Sequence, residues 1–248
     1  MLVSDAQFAA ALLVLATAAF AQGVFGLGFA MIATPLLALF LDYRTAVMVA
    51  AVPLLVLALY WLTVSRHDLH RSGIPWTMLP GIVTGAALGV ALQVSLPERV
   101  SLLLLAGLIV LSVALPLIQR RWVSRSAVVS VRSAPWFGLL AGVTEAALNV
   151  GAPFMVLFAG LARLSRLQLL IALNICFALG KSIQITLLTI VAPVPVSLPL
   201  LLAGVMVCLL AFRVGDRLAG RLSETGFHAW LRIFLLAMAA LLVIRSQF

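Results

Sequence analysis

Eight apolar runs occupy most of the 248-residue chain, at about residues 7–41, 43–64, 75–94, 99–118, 135–161, 166–191, 196–213 and 227–245. Charges cluster in the gaps between them. A helix needs about 20 apolar residues to cross the hydrocarbon of a bilayer. Inside the bilayer the backbone can hydrogen-bond only to itself, so spanning segments must be helices or closed barrels. Runs of this length predict an all-α polytopic membrane protein, and the composition agrees. Hydrophobic residues make up 65% of the chain and charged residues only 9%, whereas a soluble domain carries about 25% charged residues.

The formal net charge of +9 comes from 15 arginines and one lysine, Lys181, against seven carboxylates. The arginines stand singly or in pairs at the ends of apolar runs. That is the placement of positive charge flanking membrane spans, so no nucleic-acid partner is expected. Cys176 and Cys208 lie within apolar runs, where a thiol is a small core residue. No disulfide, metal site or other cofactor is expected. His67, His70 and His228 sit at run ends and read as interfacial. Nucleotide-binding loops, Ser/His/Asp groupings and metal-ligand spacings are missing, which argues against an enzyme or an ATP-driven pump. Ala19-Phe20-Ala21 resembles a signal-peptidase site, but no Lys or Arg precedes the run, so the segment reads as retained.

Two runs do not fit single spans. The first is too long and holds Gly23, Gly26 and Gly28 in its middle, which predicts two short pieces. The fifth is interrupted at Thr144 to Gly151, leaving arms of about 14 and 11 residues, each too short for a 30 Å hydrocarbon core. Each broken run is expected to be a re-entrant hairpin or a pair of short bent helices. The arginines test this. If each broken run crosses once, they divide evenly between the faces. If each returns to its starting side, Arg44, Arg99 and Arg245 stand alone on one face and the other twelve share the opposite face. The positive-inside rule then makes the arginine-rich loops cytoplasmic and places both termini on the non-cytoplasmic side.

The halves also match. Thr34-Pro35-Leu36 aligns with Ala152-Pro153-Phe154, Tyr43-Arg44 with Ser165-Arg166, and Ser95-Leu96-Pro97-Glu98 with Arg221-Leu222-Ser223-Glu224. Each copy contains a broken run and three spans, so the second copy is expected to be inverted in the membrane. The units are residues 1–119, a cytoplasmic linker at 120–134, and residues 135–248. Ser95 and Glu98 have capping-box spacing at the start of the fourth run, which gives Glu98 a structural role.

Inverted repeats with interrupted helices are the architecture of secondary transporters, whose sites lie between the breaks. The second arms begin near Gly28-Phe29-Ala30 and Gly151-Ala152-Pro153. Their N-terminal ends carry partial positive charge that suits an anion, and would point at one central spot. Glu145 and Lys181 are ionisable residues well inside apolar runs, and such residues are functional candidates. Asn174, Lys181 and Gln184 share a helical face. The candidate substrate-binding set is therefore Gly26, Gly28, Phe29, Asn149, Gly151, Asn174, Lys181 and Gln184. Glu145 is the candidate for proton coupling. Competing readings are glycines that only pack helices, a structural Glu145–Lys181 ion pair, and interhelical hydrogen bonds from the amides. Gly81, Gly85 and Gly89, spaced by four, read as packing glycines. At the level of the whole protein the alternatives are an anion channel, a carrier of another small anion such as a carboxylate, and a membrane scaffold that transports nothing.

Gly23-Val24-Phe25-Gly26-Leu27-Gly28-Phe29-Ala30-Met31-Ile32-Ala33-Thr34-Pro35, followed by Arg44-Thr45-Ala46-Val47, resembles the first glycine-rich signature of the sulfite exporter TauE/SafE family of small permeases. Gly142-Val143-Thr144-Glu145-Ala146-Ala147-Leu148-Asn149-Val150-Gly151-Ala152-Pro153 and the stretch from Asn174 to Lys181 resemble the second signature and the helix after it. The resemblance covers about residues 8 to 245. It implies export of small sulfur oxyanions or organosulfonates, such as sulfite or sulfoacetate, across a bacterial inner membrane. Glu145 and the sparser glycines of the second break depart from the family pattern, which bears on the cargo. Partners would be that anion and the lipid bilayer, with a homodimer as the base-rate assembly.

Overall fold

The computed structural model describes residues 4–71, 73–122, 130–219 and 224–247. Among these, every regular element is helical. They are α1 (Asp5–Phe25), α2 (Phe29–Leu37), α3 (Tyr43–Val64), α4 (Arg66–Arg71), α5 (Met78–Ser95), α6 (Glu98–Trp122), α7 (Ala134–Leu148), α8 (Ala152–Leu161), α9 (Arg166–Val191), α10 (Leu198–Leu218) and α11 (Glu224–Arg245), with a single 3₁₀ turn at Val131–Ser133. Among the described residues, six helices are long and apolar enough to cross a membrane: α1, α3, α5, α6 over Glu98–Leu115, α9 and α10. The protein is an integral membrane protein of the all-α class. On α10, Leu198, Leu202, Met206 and Leu210 form an outward stripe at helical spacing, each at least 60% exposed, as expected of a face turned to lipid.

The helix starts follow from local chemistry. Ser4 with Gln7 and Ser165 with Gln168 form capping boxes at α1 and α9, and the Asp42 carboxylate caps α3 by accepting from the Thr45 N–H at 2.9 Å. The expected box at Ser95 and Glu98 is not formed. Helix α5 continues through Ser95, whose hydroxyl donates to the Ala91 carbonyl. Glu98 is structural by another route: it accepts from the Tyr43 N–H at 3.1 Å and lies 3.7 Å from the Arg245 guanidinium.

The first broken run does not divide into two short pieces. Helix α1 has 21 residues and passes through Gly23, a packing glycine: a Cβ there would stand 2.3 Å from the Phe212 carbonyl oxygen on α10. The helix ends where Gly26 takes φ +78°, a conformation that costs side-chain-bearing residues about 1–2 kcal/mol. The second break is narrower than the sequence suggests. The Thr144 hydroxyl turns back to the Leu140 carbonyl, and α7 runs on to Leu148. Only Asn149, Val150 and Gly151 separate α7 from α8.

Both broken runs are hairpins. Gln7 near the start of α1 donates to the Phe40 carbonyl just past α2 at 3.1 Å, and the Phe137 and Phe158 rings, near the start of α7 and the end of α8, lie 5.2 Å apart. Packing pairs elements across the two halves: α1 with α10, α5 with α7, α3 with α9, and α6 with α11. Gly81, Gly85 and Gly89 of α5 interleave with Gly138 and Gly142 of α7 so closely that any Cβ would fall within 2.4 Å of a carbonyl oxygen. This confirms the packing role read for the three α5 glycines. Residues 123–129 of the expected linker and 221–223 of the repeat alignment lie outside the described residues, as do the side chains of His70 and His228.

Candidate functional site

The two breaks lie toward opposite ends of the paired helices α3 and α9. Gly26 abuts Leu170, four residues into α9, while Asn149 donates to the Val47 carbonyl, four residues into α3. At the far end of α3, Trp61 and Leu62 pack against a cluster formed by Ile74 with Ile171 and Ile175 of α9, consistent with these two helices running antiparallel. The two breaks are thus offset along these helices, yet Asn149 of the second break reaches Thr34 of α2, and the starts of both second arms open on one crevice.

The second break holds a polar cluster with no exposed side chain. The Lys181 ammonium lies 2.7 Å from Glu145 Oε1 and donates to the Glu145 carbonyl at 2.9 Å, Asn149 Oδ1 at 2.6 Å and Gln184 Oε1 at 2.9 Å. Lys181, Glu145, Asn149 and Gln184 are all 0% exposed. A helix leaves its last carbonyls without internal partners and carries partial negative charge at that end. This cluster caps that end of α7: Lys181 joins the Asn149 N–H at the Glu145 carbonyl, Gln184 Nε2 donates to the Ala146 carbonyl, and the Tyr43 hydroxyl to that of Ala147. Glu145 Oε2 in turn accepts from the Gly151 N–H at 2.7 Å, closing the break onto the start of α8.

Asn149 is the hinge of this arrangement. It sits at φ 60°, one of two described non-glycine residues with positive φ, a region that asparagine tolerates better than most residues. Its Nδ2 donates to Thr34 Oγ1 and the Val47 carbonyl, each at 3.1 Å, which ties the second break to α2 and α3.

The first break is closed by a residue the sequence reading did not select. Gln22, 3% exposed, donates through Nε2 to the Gly26 carbonyl at 3.2 Å and accepts the Phe29 N–H at 3.1 Å. The Phe29 and Gly151 N–H groups are thus already engaged by protein. Gly26 is explained by its positive φ and by Leu170, whose methyl would be 2.4 Å from a Cβ. Gly28 has open space around its Cβ position and φ +114°. Asn174 does not join the cluster: its amide donates to the Leu170 carbonyl within its own helix. Seven residues return to the same face but lie about 10 Å further along the axis at 1.5 Å per residue.

The starts of the second arms meet a shared crevice of about 190 Å³, lined by Leu27 and Met31 on one side, Ala152, Pro153 and Val156 on the other, and closed by α6 and by Arg232 of α11. Arg232 was passed over in sequence because it stands only a few residues inside its apolar run. Gln22 could have been found: Gln22 and Glu145, Gly26 and Asn149, and Gly28 and Gly151 are each separated by 123 residues.

No group of three or more His, Cys, Asp or Glu side chains suited to a metal occurs among the described residues. No curated protein and no solved structure was found to match the chain. A family model, Sulfite exporter TauE/SafE, matches residues 10–242, nearly the whole length. With its broken helical hairpins and its buried charge at one break, the chain belongs to the sulfite exporter TauE/SafE family of membrane transporters.

Proposed function

We propose that the protein is a secondary carrier that exports a small sulfur oxyanion, sulfite or an organosulfonate, by alternating access, and that Glu145 couples this movement to a proton. The observation that carries this reading is the fully buried Glu145–Lys181 pair at 2.7 Å. The equivalent break is held by a neutral amide, Gln22, so a charge is not needed to close such a turn. An intramembrane ion pair beyond what the turn requires is a candidate for substrate or proton handling.

The step follows from charge balance. A proton taken up on Glu145 removes the negative partner of Lys181 and leaves an ammonium among neutral groups. A small anion can then replace the carboxylate, with Asn149 and Gln184 at hand as amide donors. Departure of anion and proton together restores the pair. Family membership supports the sulfur cargo. The hairpin geometry of both broken runs supports the topology with twelve arginines toward the cytoplasm and both termini outside. The cross-paired halves support an inverted repeat with units at 1–119 and 135–248.

The test is uptake of labelled sulfite and sulfoacetate into proteoliposomes, with and without a pH gradient, in wild type, Lys181→Ala and Glu145→Gln. Saturable flux that follows the gradient in wild type, is lost in Lys181→Ala and persists without gradient dependence in Glu145→Gln is the expected result. A Glu145→Gln protein that still follows the gradient would sink the coupling assignment, and a wild type that moves neither anion would sink the cargo.

A further inference from the structure

Outside the buried cluster, one wall of a pocket carries an unused donor. The pocket, of about 250 Å³, lies where the start of α3, the end of α5 and the start of α6 meet, and Gln93, Arg44, Ser101, Asp42 and Glu98 line it. Gln93 is only 2% exposed, and its Nε2 meets no acceptor among the described residues. Leaving a buried donor without a partner is costly, so the position calls for an oxygen that the described residues do not supply.

The other atom of the same amide leads inward. Gln93 Oε1 accepts from Gln184 Nε2 at 3.1 Å, and Gln184 Oε1 accepts from the Lys181 ammonium at 2.9 Å. Two amides therefore separate the pocket from the buried cation. The second break lies toward this end of α3, which makes the path short.

The wall holds Asp42 and Glu98 beside Arg44, so an anion here would be held by the arginine and by neutral donors. Both carboxylates in its wall are already engaged: Asp42 caps α3, and Glu98 holds the Tyr43 N–H and faces Arg245. Arg44 commits Nη2 to the Val94 carbonyl and is otherwise exposed, leaving guanidinium donors for a ligand. Ser101 adds a hydroxyl at 2% exposure. A water in the liquid takes about 30 Å³, so the volume accommodates an oxyanion of four or five heavy atoms with several waters.

We propose that this pocket is an outer oxyanion subsite, a position the anion occupies on its way out from Lys181, with Gln93 Nε2, Ser101 Oγ and the Arg44 guanidinium as its ligands. The assignment rests on the transport reading above, but binding at the pocket can be tested apart from transport. Equilibrium binding of labelled sulfoacetate to the purified protein is compared for wild type, Gln93→Leu, Arg44→Ala and Arg44→Lys, with thermal unfolding as a check on folding. Binding weakened at least tenfold in Gln93→Leu and Arg44→Ala, and within threefold of wild type in Arg44→Lys, is the expected result. Equal affinity in all four proteins, or no binding by wild type, overturns the subsite. In proteoliposomes of known orientation, the same two variants are expected to raise KM from the face bearing Asp42 and Glu98, and not from the other. An equal rise from both faces would mean that Gln93 acts only through Lys181, and would also overturn the subsite. Binding that responds as expected without flux in wild type would leave the subsite standing and remove the transport reading.

Discussion

The two breaks solve one backbone problem with different chemistry. In each, a polar side chain four residues before the helix cap reaches across the gap to an N–H at the start of the next helix. At the first break the side chain is Gln22 and the cap is Gly26; at the second they are Glu145 and Asn149. Gln22 satisfies both an N–H and a carbonyl and needs nothing further. Glu145 satisfies the N–H and carries a charge that must be met, and Lys181, Asn149, Gln184 and Tyr43 gather around that end of α7. The comparison teaches that closing the turn and holding the charge are separable tasks. Only the second break performs both.

The sharpest way to break this comparison is to remove one charge. Lys181→Met leaves Glu145 buried without a cation, and removing one partner of a buried pair costs about 3–5 kcal/mol. The variant should unfold well below wild type in a detergent melt, and Glu145→Gln combined with Lys181→Met should recover much of the loss. Recovery would show that the charge is dispensable for the fold, as the first break implies. Next in size is Asn149→Ala, which removes the donor to Thr34 and Val47 and the acceptor for Lys181 and places alanine at φ 60°. Its expected cost is about 3 kcal/mol by the same melt.

Gln22→Leu leaves the Phe29 N–H and the Gly26 carbonyl without their side-chain partner, at about 1–3 kcal/mol. Because Gln22 carries no charge, flux in this variant should keep the pH dependence of wild type; a changed dependence would show that the first break also takes part in coupling. The smallest effect is expected from Gly28→Ala, about 1 kcal/mol or slightly more, from its left-handed φ alone, since the space around it is open. Gly151→Ala should be no milder despite its ordinary φ of −92°, because a Cβ there would lie 2.7 Å from the Ala141 carbonyl oxygen.

Helix positions were legible in the sequence because the bilayer leaves the backbone little choice. The third run, read as 75–94, becomes Met78–Ser95, and the sixth, read as 166–191, becomes Arg166–Val191. The charged half of the site was legible for the same reason, since Glu145 and Lys181 stand out against leucine and alanine. Neutral amides do not. Gln22 and Gln93 differ little from their surroundings until their partners are known, and those partners lie up to 91 residues away. Glycine was the ambiguous letter: Gly23 and Gly26 sit three residues apart, yet one lets two helices touch and the other ends a helix. The difference lies in α10 and α9, which no local pattern contains.

The glycine seams also bear on how such a chain is made. Helix α1 presents Gly23 to α10, and α5 presents Gly81, Gly85 and Gly89 to α7. A ribosome that has released only the first half has inserted both grooves and neither of the helices that fill them. Lipid occupies the grooves until α7 and α10 arrive, and each must then be displaced by backbone. Closure of the α1 seam thus waits for α10 to be synthesised, and a product truncated before α10 would leave that seam open.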